Sequence, residues 1–329
     1  MSAERIARLL VIGFAVGAPI AALIAQPDAA PIRTIEIHGV QAETGGWTPG
    51  DLTATVGEPI RLRLTSDDVL HGFAIGHGDQ PAVDVKPGEV TETTIVFDRP
   101  GKYTFYCTRW CGLNHWRMRG TIEVGGPAGD QALEPAPLYV TLGLDIDAPH
   151  PAEIVPDRKP SAARGAELGV VIPPAYLGAD YYRAHSPVEA WRALRAEPFA
   201  RELNDAQVWD VIALVWQSNT TPQAIDLGRQ LYAANCAACH GESGAGDGVM
   251  AAALENSAGD GAEHGIQTPA NFSDAATMLG ASPALLQGKI RRGGMGSGMP
   301  YWGPIFTEAQ TWAVVDYLWT LQFQAEDTP

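Results

Sequence analysis

The four cysteines of this 329-residue chain fall into two pairs, and histidine stands close to each pair. The first cluster reads Cys107-Thr-Arg-Trp-Cys111-Gly-Leu-Asn-His115-Trp-Arg-Met118. One thiolate, two imidazoles and a weak axial thioether make a blue-copper site. A second thiolate four residues after the first turns that set into one that bridges two copper ions sharing an electron. The missing imidazole has to come from an earlier strand or its edge, and His71 in Asp67-Asp-Val-Leu-His71 is well placed. His77 competes with it but reads as a residue of an exposed turn, and His38 as a surface strand residue. A Cys107–Cys111 disulfide is the plainer alternative, and it explains neither the His and Met spacing nor the Asp-Val-Leu-His run. The second cluster is Cys236-Ala-Ala-Cys239-His240, the spacing that attaches a c-type haem through two thioether bonds and an axial imidazole. Alone, the pentapeptide also suits a zinc or thiol-redox site. Downstream, Gly293-Gly-Met295-Gly-Ser-Gly-Met299-Pro-Tyr-Trp-Gly303 offers a thioether, with Met299 directly before the Pro and Met295 as the alternative.

Two kinds of element have to position these groups. From Ile32 to about Val124 the chain is a series of short strand-like runs (TIEIHGV, DLTATV, PIRLRLTS, VTETTIVF, KYTFYC, GTIEV) separated by Pro-Gly breakers. Evenly spaced runs of this kind predict a β-sandwich, with the first cysteine at the end of KYTFYC. Around the second cluster the pattern is helical. AIDLGRQLYAAN precedes it, with Gly228 and Tyr232 on one face, and an amphipathic helix from about Thr307 to Gln322 carries Trp312, Tyr317 and Trp319. Tyr232, Tyr317 and Trp319 read as packing between these two helices. A Pro-, Ala-, Gly- and Asp-rich stretch, 127–164, reads as a linker between the halves.

Each half resembles a known family. The Asp-Val-Leu-His run followed by C-x3-C-x3-H-x2-M resembles the binuclear CuA domain of haem–copper oxidase subunit II, over residues 31–126. Similar domains occur in nitrous oxide reductase and in some nitric oxide reductases. The resemblance implies an all-β cupredoxin-like sandwich in which Cys107 and Cys111 bridge two coppers. His71 and His115 would each bind one copper, with Met118 and the Arg109 backbone carbonyl as weak ligands. Arg109 stands where many such subunits carry a Glu that reaches a magnesium site, and the aromatic cluster where electrons arrive is reduced to Trp47. The loop and a single N-terminal helix look most like the one-helix subunit II of B-type oxidases. Residues 221–329 resemble class I cytochromes c throughout: helix, C-x-x-C-H, long loop, M-P-x-W-G and an aromatic closing helix. This implies an all-α domain holding one covalent haem c through Cys236, Cys239, His240 and Met299.

Residues 203–216 repeat the register of 306–319 at an offset of 103, with Ala, Gln, Trp, Val and Trp shared. Residues 165–220 therefore read as a degenerate, haem-free cytochrome-like module, or as two amphipathic helices that share common residue types. At the other end, Leu9–Ala25 is a run of 17 uncharged residues behind Arg5 and Arg8. As a helix it reaches about 25 Å, near the lower limit for crossing a bilayer. Residues 1–30 thus read as a single-pass transmembrane helix with a cytoplasmic N-terminus, or as a cleaved secretory signal. Either reading puts the remaining domains on the periplasmic or extracellular side of the cell membrane.

The formal charge of −16 argues against nucleic acid as a partner. Within 221–329, four basic residues stand against eleven acidic ones, a balance that reads as a solvated face or as a surface that recruits a basic electron donor. Both clusters are one-electron sites without an open position for substrate, so the isolated chain is expected to make or break no bonds. The resemblance implies a multidomain, non-catalytic electron-transfer subunit of a cytochrome c oxidase. It would take electrons from soluble cytochrome c or a small blue-copper protein through haem c to CuA, and on to the O2-reducing membrane subunit I. Service to a nitric oxide reductase, or as a free-standing anchored shuttle, are the alternatives.

Overall fold

The computed structural model describes residues 32–77, 80–112, 115–127, 136–252, 268–294 and 299–324. Among them no helix is long and apolar enough to cross a membrane. The apolar run Leu9–Ala25 lies outside the described residues.

Residues 33–125 form two sheets. One has four strands in the order β2-β1-β4-β7, with β7 at Thr91–Ile95, and the other five in the order β3-β9-β8-β5-β6, with β3 at Asp51–Thr55. In β4 (Ile60–Ser66), Ile60, Leu62, Leu64 and Ser66 alternate inward, and β1 (Arg33–Gly39) lies parallel to it with Ile37 opposite Leu64. Period-two patterning puts these side chains on one face, where they meet Phe73, Phe105 and Ile122 of the second sheet. The structure adds β2 (Trp47–Thr48), β5 (His71–Ile75) and β6 (Val83–Val85) to the runs that patterning identifies. β5 is buried at His71, Gly72, Phe73 and Ala74, so it carries no alternation to detect. β8 (Gly101–Tyr106) and β9 (Arg119–Gly125) pair antiparallel and frame the copper-type loop between them.

The helical body starts earlier than the composition suggests. Within the linker-like stretch, α1 (Leu138–Thr141) and the chain after it lie along the helices. Ile146 is buried, Ala152 N–H donates to the Ala276 carbonyl at 2.7 Å, and Asp147 pairs with Arg292. The main helices are α2 (Ala162–Glu167), α3 (Ala179–Ala184), α4 (Pro187–Arg195), α5 (Asp205–Gln217), α6 (Pro222–Asn235), α7 (Ala237–His240), α8 (Ala275–Met278), α9 (Pro283–Arg292) and α10 (Glu308–Gln322).

Two helix pairs cross in the same manner. A Cβ on Gly228 of α6 would lie 1.9 Å from the Ala313 carbonyl of α10, so only glycine permits that approach. A Cβ on Gly165 of α2 would lie 2.3 Å from the Asp210 carbonyl of α5, and Asp210 and Ala313 are again 103 residues apart. Both α5 and α10 open with a capping box, Asn204/Gln207 and Thr307/Gln310, and Trp216 meets Trp319 edge-on at 6.0 Å.

Between the two pairs, the Tyr182 hydroxyl donates to Asp316 at 2.8 Å. Burial pushes the Asp316 carboxyl up to about 6, against the lowering effects of Tyr182 and Arg183. The folded state therefore holds this proton more tightly than the unfolded chain does. The resulting stability is complete below pH ~4 and is lost as pH rises through 6, a change of at most about 3 kcal/mol. Asp316→Asn keeps an oxygen for Tyr182 but cannot ionise. Its melting temperature is expected to match or exceed the parent's at pH 7.5 and to lose that advantage at pH 4.5. A variant that melts lower at pH 7.5 would contradict this.

Candidate metal and haem sites

The copper-type cluster forms at one end of the sandwich, where β8 runs out and β9 begins. His71 and Met118 are fully buried, and Cys107 and Cys111 nearly so. The Cys107 and Cys111 sulfurs are 3.8 Å apart and unbonded, whereas a disulfide requires about 2.05 Å. His71 Nδ1 faces Cys107 Sγ at 3.8 Å and His115 Nδ1 faces Cys111 Sγ at 3.4 Å. Met118 Sδ lies 3.8 Å from Cys111 Sγ, and the Arg109 carbonyl oxygen lies 3.2 Å from Cys107 Sγ. All six sequence-derived positions thus converge on one pair of sulfurs. The Arg109 side chain points away and holds Asp84 through two bonds of 2.8 and 3.2 Å.

The electrostatics of this pair call for a cation. Cys111, hydrogen-bonded to Cys107, holds the Cys107 thiol well below its usual range, while the Cys107 thiolate drives the Cys111 thiol far above it. Two thiolates at this spacing are stable together only with positive charge between them. A set of soft sulfurs and imidazoles suits copper.

Patterning did not find the supports of this cluster. Asp68 accepts from His71 Nε2 at 2.8 Å and from the Gln41 and Val69 amides at 2.7 and 2.6 Å. It therefore fixes the ring with Nδ1 toward the sulfurs. Its position three residues before His71 is the only signal the sequence carries. Gln41 Nε2 donates to the Cys111 carbonyl at 2.5 Å, a contact across 70 residues with no local signature. Trp47 is 3% exposed, and its ring packs edge-on against His71 at 5.7 Å, so it is a wall of the site and not a surface aromatic. Asp68→Asn is expected to weaken copper binding by about 10- to 100-fold in chelator competition. Asp67→Asn, an exposed neighbour, should leave affinity unchanged.

Cys236 is the N-cap of the short helix α7 and Cys239 lies within it, both as free thiols, and burial pushes the Cys236 thiol up to about 12. His240 Nδ1 donates to the Ala270 carbonyl at 3.0 Å, which leaves Nε2 as its free nitrogen. Burial lowers the pKa of its imidazole, which disfavours the charged form. The Phe272 ring stacks on it at 4.5 Å. Tyr232 donates to the Gly241 carbonyl at 2.7 Å and so ties α6 to the end of the motif. Met299 packs against the helical core, while Met295 and His264 lie outside the described residues. His185 stacks on Tyr181 at 4.2 Å, within the module that lacks cysteines.

Two family models match the chain: "Cytochrome C oxidase subunit II, periplasmic domain" over residues 50–124 and "Cytochrome c" over residues 225–322. The chain joins an oxidase subunit II domain to a cytochrome c domain. A cytochrome c oxidase subunit 2 from Thermus thermophilus is 42% identical over 79 residues, 24% of this chain and 58% of that protein. This chain thus spans less than two thirds of the curated relatives it matches. Among solved structures, a haem–copper terminal oxidase dimer aligns at 26% identity and TM-score 0.26, over 37% of this chain and 96% of that one. The periplasmic domain of subunit II from Bradyrhizobium japonicum aligns at 23% and 0.26, over 31% and 88%. The subunit II domain implies copper, and the cytochrome domain implies haem.

The two domains touch. His77 sits on its turn at φ 60° and, instead of joining the copper cluster, donates through Nε2 to the Gly303 carbonyl at 2.7 Å. Its amide donates to the Ile305 carbonyl at 3.1 Å. Arg119, the residue after Met118, donates to the Tyr301 carbonyl at 3.0 Å, two residues beyond Met299.

Proposed function

We propose that this chain is the subunit through which electrons enter a haem–copper oxidase. In this reading Cys236, Cys239, His240 and Met299 would hold a haem c, the two cysteines covalently. Cys107, Cys111, His71, His115 and Met118, with the Arg109 carbonyl, would hold the copper pair. The copper pair and the haem supply reversible one-electron chemistry. The protein's part is to hold both donor sets rigid, buried and close together, so that little ligand rearrangement accompanies the transfer. The observation that carries the reading is the 3.8 Å sulfur pair, with two imidazoles and a thioether, in a domain that contacts a C-x-x-C-H domain on the same chain.

An external soluble cytochrome c or small blue-copper protein would reduce the haem, and a membrane-embedded catalytic subunit I would take the electron from copper and reduce O2. Residues 9–25 would anchor the chain in the cell membrane by a single pass, with both domains on the periplasmic side. Residues 165–220 fit a haem-free relic of a second cytochrome fold. The common Gly-on-carbonyl crossing and the matched capping boxes support that assignment.

Purification of the full-length protein from its native membrane in mild detergent tests the function. The expected result is a co-purifying large subunit and O2 uptake driven by reduced cytochrome c. Nitric oxide turnover without O2 uptake would move the chain to a reductase complex. Elution alone, with neither gas consumed, would leave only an anchored shuttle.

A further inference from the structure

Strand pairing places two residues on the cytochrome side of the copper loop. Tyr106 and Arg119 are direct cross-strand partners in β8 and β9. Tyr106 immediately precedes Cys107, and Arg119 immediately follows Met118. Successive strand residues point to opposite faces, so when Cys107 and Met118 face the cluster, Tyr106 and Arg119 face away from it. The Cys107 amide donates to the Met118 carbonyl at 3.0 Å, which locks the two strand ends together.

The cytochrome domain sits on that outer face. Tyr106 packs against the helical core. The Arg119 guanidinium lies 5.2 Å from the Tyr301 ring centre and 5.4 Å from that of Trp302, while donating to the Tyr301 carbonyl. The loop it grips is itself held in place. Trp302 and Gly303 amides donate to the Ile290 and Arg291 carbonyls of α9 at 3.1 and 2.9 Å, and Trp302 stacks on Phe306 at 4.9 Å. On the far side of the contact, a Cβ on Gly76 would lie 2.3 Å from the Pro304 carbonyl, so the surfaces fit without space for a methyl group.

We propose that Arg119, with Tyr106 beside it, is the positioning residue that clamps the Tyr301–Trp302 loop to the back of the copper strands. The contact links the segment bearing Met299 to the segment bearing Met118 through a single hydrogen bond. This inference rests on the electron-transfer reading above. With haem and copper bound, the step served would be the transfer of one electron from the haem to the copper pair, with no proton moved and the external cytochrome c or blue-copper donor replacing the electron. Arg119 and Tyr301 take no part in redox chemistry; they fix the spacing across which the electron passes. A planar guanidinium suits the task because it covers two rings and donates to a carbonyl at once.

The test uses the full-length, metal- and haem-loaded protein and two variants that attack the contact from different sides, Arg119→Met and Gly76→Ala. Both are expected to slow first-order haem-to-copper transfer after flash reduction by about tenfold or more, as misplacement across a reacting contact does. Both should also raise deuterium uptake in the 299–306 segment and at the His77 amide. Arg119→Lys keeps the charge but loses the planar fork and should recover only part of the rate. Arg99→Met, on an exposed loop, serves as control. The copper and haem spectra and potentials of all variants should match the parent's, which separates loss of docking from damage to either site. Unchanged transfer in either variant, or unchanged deuterium uptake in Arg119→Met, would overturn the clamp. Because deuterium uptake reads the contact without reference to electron transfer, and the copper and haem spectra read the cofactors directly, failure of the clamp is distinguishable from failure of the cofactor assignment.

Discussion

Replacing Cys107 with Ser is expected to lower copper content from two ions per chain to at most one, and to abolish the visible absorption of a shared, thiolate-bridged pair. A hydroxyl at that position stays protonated and cannot bridge, so Cys111 is left as the single sulfur anion. The fold should survive. The substitution is nearly isosteric, the sandwich is built on Ile37, Leu62, Leu64, Phe105 and Ile122, and far-ultraviolet circular dichroism should not change. Cys111→Ser is expected to behave alike, because each sulfur matters only as half of a bridge. Metal analysis with absorption and paramagnetic resonance spectra checks the result. Two coppers retained in either variant, with the parent's spectrum, would show that the 3.8 Å sulfur pair is not the metal centre.

Met299→Leu is expected to lower the haem reduction potential by on the order of 0.2 V, within the roughly 0.8 V range that axial ligands span. A thioether opposite His240 favours ferrous iron, and an apolar side chain of similar volume removes it without opening the core. Covalent attachment through Cys236 and Cys239 should persist, so the purified variant keeps its haem. Met295→Leu is the companion measurement, since Met295 is the other thioether on the same loop. A spectroelectrochemical titration in which Met295→Leu shifts and Met299→Leu does not would reverse the assignment. Met299 is favoured by its place directly before Pro300 and by its packing against the helical core.

The ligand-bearing residues were legible in the sequence because metal chemistry constrains residue type at short spacing. Cys107, Cys111, His115 and Met118 lie within one loop, and Cys236, Cys239 and His240 within one helical turn. His71 was legible for a weaker reason: it stands 36 residues from Cys107, and the run before it marks it only through resemblance. The strand that carries it, His71–Ile75, escaped the alternation test because almost every residue on it is buried. The stretch 127–164 has the composition of a tether, yet from residue 136 its described part lies on the helical body, with Ile146 buried and Asp147 paired to Arg292. Composition reports how flexible a free chain would be, but it does not register a surface that the chain can lie on.

By itself the sequence determined which atoms are available for chemistry: two thiolates, two imidazoles and a thioether at one site, and a C-x-x-C-H motif with a Met loop at the other. It also determined that one site rides on strands and the other on helices, since periods of two and 3.6 residues are local properties of a chain. Only the tertiary structure decided what orients those atoms. Asp68 turns His71, Gln41 holds the Cys111 carbonyl, and Trp47 closes the site as a buried wall. The tertiary structure likewise set Arg119 against Tyr301 across 182 residues and made His77 a clasp between domains. Apart from Asp68, which stands three residues before His71, these contacts have no sequence signature because each depends on surfaces meeting whose residues lie far apart in the chain.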